Sequence, residues 1–154
     1  MEQFSHEKDD MQRMIDEIVA SEGWAMIYHR RDSILYCDYQ TCGLPEVYSH
    51  PNLQIVLPLS MEQARQMLMA LIHYIQMGVL FEPGNEYVDI LEGHSLRVSQ
   101  HRNEGENVLR VIVSDETRKF PEHPECDPVY AYQENKFSYV CGCVYRGSQI
   151  IDRF

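Results

Sequence analysis

One segment of the sequence specifies both ends of a helix, and it constrains the fold more than any other feature. Ser60 followed by Gln63 matches a capping box, in which each side chain bonds to the other residue's backbone N–H group. Leu59 with Ala64 matches a hydrophobic staple, and Gly78 offers the left-handed stop of a Schellman ending. The apolar residues between these ends recur at helical spacing: Met61, Ala64, Met67, Leu68, Leu71, Ile72 and Ile75. The pattern predicts an amphipathic helix with one buried stripe.

A second helix and several strands account for most of the remaining chain. Apolar residues at helical spacing predict an amphipathic helix from about Glu7 to Glu22, which Gly23 ends. Runs rich in branched and aromatic residues predict strands over 24–29, 34–41, 53–57, 95–102 and 108–113, with 87–91 a strand or a helical turn and 137–145 a further candidate. On strand 34–41, the alternation of side chains predicts a solvent-exposed face carrying Asp38 and Gln40. The proline-containing ranges 42–52 and 114–135 are predicted to be loops, the second with one possible helical turn. We therefore expect one α+β two-layer domain over residues 1–145, with a mostly antiparallel sheet of about six strands and two amphipathic helices, followed by a tail at 146–154.

Composition limits the classes of function. The chain has 154 residues and a formal charge of −11, which disfavours binding to nucleic acids because such binding depends on Lys and Arg neutralising phosphates. No apolar run is long enough to span a membrane, and the N-terminus lacks a signal-peptide pattern. Five cysteines, an odd number, do not resemble a secreted disulfide framework. We expect an acidic, cytoplasmic protein with reduced thiols.

A family resemblance is strongest between Phe81 and Gly93. This stretch, together with Gly23-Trp24, His50-Pro51 and Cys126-Asp127-Pro128, resembles bacterial domain-of-unknown-function family number 4262 over about residues 23–133. The family usually has Glu after His-Pro, whereas Asn52 follows here, and its second strand usually carries fewer polar residues. The resemblance implies a fold and no catalytic residue.

Three polar residues form the best candidate for a pocket. His50, Tyr87 and Asp89 could converge at one sheet edge as an imidazole, a phenol and a carboxylate, a set suited to acid and base chemistry. Tyr39 and Arg97 would complete the lining. The alternative is that these side chains satisfy backbone groups in turns, as polar residues commonly do.

A zinc site is a weaker candidate. His123, Cys126, Cys141 and Cys143 supply four possible ligands, although buried thiols of the ordinary kind would give the same pattern. Cys37 and Cys42 could form a redox pair, with burial again the alternative. No other cofactor is expected.

The sequence leaves three functions open, and the common enzyme signatures are absent. The first is a small bacterial or phage protein that binds another protein, or itself, as a regulatory, immunity or inhibitory module. Met69 and Met77 lie off the buried helix stripe, and exposed methionines there would favour this function. The second is a small-ligand-binding protein or hydrolase-type enzyme with the His50 pocket, and the third is a zinc-stabilised module.

Overall fold

The computed structural model describes the backbone of residues 2–31, 37–103, 105–134, 139–146 and 149–152, and the side chains of residues 9–28, 38–102 and 105–134. Its elements, in chain order, are α1 (Glu2–Glu22), β1 (Ala25–Arg31), β2 (Cys37–Cys42), α2 (Leu44–Tyr48), β3 (Asn52–Leu57), α3 (Met61–Gln76), β4 (Glu86–Leu91), β5 (His94–Asn103), β6 (Glu106–Val113), α4 (Pro128–Ala131), β7 (Tyr139–Arg146) and β8 (Gln149–Asp152).

All of the described strands belong to one sheet, in the order β4-β5-β6-β3-β2-β1-β7-β8. Neighbouring strands are antiparallel except β3 and β6, which pair in parallel with Asn52 opposite Val108 and Gln54 opposite Arg110. The α+β class is confirmed, and β1 to β6 correspond to the six strands expected. Of the range predicted to be a tail, residues 149–152 form β8, which pairs with β7.

The helix α3 begins and ends where its sequence signals predict. Ser60 Oγ accepts a hydrogen bond from the Gln63 backbone at 3.1 Å, and the Gln63 side chain accepts one from the Ser60 backbone at 3.0 Å. At the other end Val79 N donates to Tyr74 O, which completes the Schellman motif around Gly78. The buried stripe of α3 packs on one face of the sheet, against the odd-numbered residues of β3 and β6, including Leu53, Ile55, Leu109 and Val111.

The other long helix, α1, packs on the opposite face. Ile15 and Ile18 contact Ala25 and Ile27 of β1, whereas Met26 of the same strand joins the core under α3. This division follows from the alternation of side chains along a strand. Helices therefore cover parts of both faces of the sheet, so the two-layer arrangement expected within the α+β class is corrected to a sheet with a long helix on each face.

A short helix, α2, occupies part of the range that the sequence predicts as a loop. Pro45 lies in its first turn, a position where proline costs no hydrogen bond. The preceding Gly43 has φ +95°, and a Cβ atom there would lie 2.7 Å from the methyl groups of Val19. The end of α1 can therefore approach α2 closely only because residue 43 is glycine.

Candidate functional site

His50 lies in the core, and both of its ring nitrogens have backbone partners. Phe81 N donates a hydrogen bond to Nε2 at 3.1 Å, so that this nitrogen is the acceptor. Nδ1 lies 2.7 Å from the carbonyl oxygen of Pro51 and must be the donor. Burial lowers the pKa of His50 from its ordinary value, and the bond to Pro51 partly opposes that shift. Because Nε2 accepts a hydrogen bond, the ring has its neutral form in this arrangement, and it joins the segment between α2 and β3 to the segment after α3.

Tyr87 contacts the same phenylalanine. The Phe81 ring centroid is 5.9 Å from that of His50 and 4.9 Å from that of Tyr87, both in edge-on geometry. The Tyr87 hydroxyl accepts a hydrogen bond from Glu82 N at 3.1 Å. The structure thus brings two of the predicted pocket residues to neighbouring positions, where both bond to the backbone of residues 81 and 82.

The other three predicted pocket residues lie apart from this pair. Asp89 is exposed on β4, at the edge of the sheet, and the Tyr39 hydroxyl donates to Leu59 O at 2.5 Å inside the α3 core. Arg97 follows Leu96, the cross-strand neighbour of Tyr87, and therefore points to the opposite face. The five residues do not converge on one site.

Arg97 instead holds the segment after β6 against its own face of the sheet. Its guanidinium makes two hydrogen bonds to Glu122, of 2.6 and 2.8 Å, and lies 4.6 Å from the centroid of the Phe120 ring. The bonds to Glu122 raise the pKa of Arg97 above its ordinary value. This is a structural role.

The four residues predicted to bind zinc lie in two distant places. Cys126 is next to Asp127, whose backbone bonds to Asp115 directly after β6, whereas Cys141 and Cys143 lie on β7. Four strand spacings separate β6 from β7, which is about 19 Å. Ligands of one zinc ion lie within a few ångströms of each other. In addition, the exposed His123 accepts a bond from Glu125 N, and no metal-binding group occurs among the described side chains.

The predicted redox pair is also separated by its strand. Cys37 and Cys42 are the two ends of β2, five residues apart, which corresponds to about 16 Å. A disulfide requires Cα atoms within about 7 Å of each other. Burial, together with the nearby carboxylates of Glu106, Glu46 and Asp16, raises the pKa of the Cys42 thiol to about 12, so that it is not activated.

A buried polar network lies on the face of the sheet opposite α3, at the parallel pairing of β3 and β6. Gln54 donates to Asp38 Oδ1 at 2.8 Å and accepts from Arg110 Nε at 2.8 Å. Arg110 also donates to the carbonyl oxygen of Gln133. Sequence alternation predicted a wet face for Asp38 and Gln40, but both are buried. Helix α1 packs on this face at Ile27, the cross-strand neighbour of Gln40, and Asp38 is bonded to the network that Gln133 caps.

The side chain of Gln133 takes the place of a neighbouring strand. Its Oε1 accepts from Val113 N at 2.7 Å, and its Nε2 donates to Val113 O at 2.6 Å. The paired residues of β3 and β6 end at Gln54 and Arg110, so Val113 has no β3 partner for these groups. One amide side chain therefore completes the hydrogen bonding of the strand end.

Asp115 organises the chain that follows. Its carboxylate accepts hydrogen bonds from the backbone of Thr117, Lys119 and Asp127 and from the Thr117 hydroxyl. These bonds hold the pKa of Asp115 well below its ordinary value. The carboxylate fixes the turn that follows β6 and links it to the start of α4.

Apolar side chains are exposed along α3 and near its end, at what we call the methionine patch: Val47, Met69, Met77 and Leu80, which are 46, 44, 62 and 52% exposed. Two contacts show that the segments bearing them adjoin. Gln76 Nε2 donates to the Tyr48 hydroxyl at 3.0 Å, and the backbone of Phe81 bonds to His50. These contacts place α2 and the segment after α3 beside the last turn of α3, near Met77, and Met69 lies two helical turns before Met77 on the same helix.

Charged residues are absent from the sequence that builds most of this surface. Residues 66–81 contain no Asp, Glu, Lys or Arg, in a chain whose net charge is −11. The exposed side of α3 accordingly presents Met69, His73 and Met77, each four residues from the next and therefore in one row. Only Met69 and Met77 were singled out from the sequence; Val47 was missed because α2 was predicted as a loop.

Comparisons with protein-family models, with curated proteins and with solved structures returned no match to this chain. The resemblance to the domain-of-unknown-function family stays a prediction. None of the described helices is both long enough and apolar enough to cross a membrane.

Proposed function

We propose that the chain is a cytoplasmic protein-binding module of a regulatory, immunity or inhibitory kind, and that the methionine patch is its binding surface. The observation that carries this proposal is the exposure of Met69 and Met77 on a helix whose buried stripe is already complete without them. Apolar side chains in contact with water gain free energy when a partner covers them, at roughly 25 cal/mol per Å².

The composition of the surface supports the proposal. Interface centres are enriched in Met and depleted of charged residues, and the exposed positions of the run 66–81 include Met69 and Met77 and no charged residue. Flexible methionine side chains also adapt to the shape of a partner.

The polar candidates favour binding over catalysis. His50 has partners for both ring nitrogens, so its imidazole is not free for a substrate in this arrangement, and the Tyr87 hydroxyl already accepts a hydrogen bond from the backbone of Glu82. A small-ligand pocket or a hydrolase-type site around His50 therefore has less support than the exposed surface.

The proposal is tested by comparing three immobilised proteins in pull-downs from bacterial lysate at physiological salt. They are the unchanged chain, the double variant Met69→Gln with Met77→Gln, and Val88→Gln as a control, because Val88 is similarly exposed on β4, outside the patch. We expect a protein retained by the unchanged chain and by the control, and lost from the double variant. In parallel, sedimentation measures self-association of the three proteins. Equal retention by all three, or no retention together with a monomer at every concentration, would contradict the proposal.

A further inference from the structure

We infer that the methionine patch binds a basic amphipathic helix of another protein. This inference rests on the proposed function and adds the chemistry of the partner. It follows from the charge around the patch and from the row of residues along α3.

The rim of the patch is acidic. The end of α1 reaches the patch at Gly23, where a Cβ atom would lie 2.8 Å from the Tyr48 hydroxyl. Residues 19–28, 43–50 and 66–82 contain the three exposed carboxylates Glu22, Glu46 and Glu82 and no Lys or Arg. The row along α3 continues at Arg65, four residues before Met69, where the exposed Glu62 lies one turn away, so the acidic residues around the patch outnumber the basic one.

The acidic residues around the patch disfavour its binding to a second copy of the chain. In a two-fold symmetric dimer the same surface is present on both sides, so the three carboxylates of one chain would lie close to those of the other. The net charge of −11 on each chain adds a longer-range repulsion. A separate partner with Lys or Arg around an apolar centre has complementary charge instead.

The exposed row of α3 suggests a helical shape for the partner. Met69, His73 and Met77 extend over two turns, about 12 Å. A partner helix with apolar residues three and four positions apart presents a matching row, and basic residues on its flanks would lie over the rim.

The test uses three synthetic peptides of about 20 residues, a length that supports a helix. The first has Leu along one helical face and Lys on both flanks, the second has Glu in place of each Lys, and the third is a scrambled form of the first. Fluorescence anisotropy measures their binding to the full chain. We expect the first peptide to bind at least about 10-fold more tightly than the other two, because it alone has both the charge and the apolar face.

Two triple variants separate local from overall charge. The rim variant combines Glu22→Gln, Glu46→Gln and Glu82→Gln, and its matched control combines Asp9→Asn, Asp10→Asn and Glu116→Gln, which removes the same charge at exposed positions elsewhere. We expect the rim variant to bind the basic peptide about 10-fold more weakly and with less dependence on salt, and the control to change little.

Three results would overturn the inference: equal binding of the basic and acidic peptides, equal effects of the two triple variants, or no peptide binding at all. If the chain instead forms a dimer that the Met69→Gln, Met77→Gln double variant abolishes, a basic partner is wrong and the protein-binding function stands. If neither binding nor self-association depends on the patch, both proposals fail.

Discussion

Two regions of the molecule have residues of an uncommon type for their position. The network at the β3–β6 pairing has polar side chains in the interior, and the methionine patch has apolar side chains on the surface. Asp38, Gln54 and Arg110 are almost fully buried, and hydrogen bonds link them to one another and to Gln133. The patch residues are about half exposed, and within the described part of the chain no side chain covers them.

The two regions differ in whether their side chains can still gain free energy by contacting another molecule. Buried polar groups are costly unless they are hydrogen-bonded, and the network meets that condition within the fold. Exposed apolar groups gain only when something else covers them. The charged and amide side chains of the buried network therefore stabilise the fold. The surface available to a partner is the apolar methionine patch.

The largest expected effect is on the network, through Arg110→Met. The substitution removes a buried positive charge and leaves the side-chain oxygen of Gln54 and the carbonyl of Gln133 without this donor. We expect the free energy of unfolding to fall by about 3–5 kcal/mol in urea denaturation. Arg102→Met, at an exposed position, is the control and should change it by less than about 0.5 kcal/mol. A loss below about 1 kcal/mol at Arg110 would contradict a structural role for the network.

A smaller loss is expected from Gln133→Leu. The leucine has a similar volume but cannot bond to the backbone N–H and C=O of Val113, which are buried. We expect a loss of about 1–3 kcal/mol in the free energy of unfolding, together with faster hydrogen exchange at the Val113 amide. Gln100→Leu, on an exposed position of β5, provides the comparison. An unchanged exchange rate at Val113 would show that the amide of Gln133 is not needed there.

His50 should make stability depend on pH. Because burial lowers its pKa in the folded state, the unfolded chain takes up a proton first as the pH falls through its ordinary value of 6.5. The stability that the neutral ring contributes is complete above that pH and is lost below it, as protonation removes the acceptor of Phe81 N. Urea denaturation from about pH 8 to about pH 5 should show this decline. In His50→Gln the decline should be shallower, and an equal decline would assign it to other groups.

The smallest effect on stability is expected within the patch. Met77→Gln exchanges an exposed side chain for a polar one of similar size, so the free energy of unfolding should change by less than about 0.5 kcal/mol. Leu71→Ala, in the buried stripe of the same helix, should cost about 2–5 kcal/mol. Thermal and urea denaturation of both variants measure this contrast. A large loss at Met77 would mean that the residue is part of the core and would remove the basis of the binding surface.

Local signals predicted the fold well where neighbouring residues decide the structure. The capping box at Ser60 and the ending at Gly78 depend on contacts within one helical turn, and both are confirmed. The burial of Asp38 was not predictable in this way. Its partner Gln54 is on β3 and is bonded in turn to Arg110 of β6, more than 70 residues beyond Asp38, and alternation within one strand carries no information about either.

The candidate site was predictable only in part, for a similar reason. The sequence grouped His50, Tyr87 and Asp89 as residues that could converge, and the rings of His50 and Tyr87 both contact Phe81, whereas Asp89 is exposed on β4. Arg97 was wrongly grouped with them. The sequence does not give the register in which Leu96 pairs with Tyr87, and this register places the Arg97 side chain on the opposite face of the sheet. The exposed positions of Met69 and Met77 follow from helical spacing, whereas Val47 and Leu80 join them only through tertiary contacts.

The parallel pairing of β3 and β6 has a consequence for folding kinetics. It joins the meander β4-β5-β6 to the rest of the sheet through residues 52–54 and 108–110, which are 56 positions apart in the chain. Closing so large a loop costs entropy before the pairing gains any free energy, so contacts of this kind form late. We therefore expect Gln54→Leu to accelerate unfolding and leave the folding rate nearly unchanged in stopped-flow measurements. The centre of the sheet would then be the last part of the molecule to assemble.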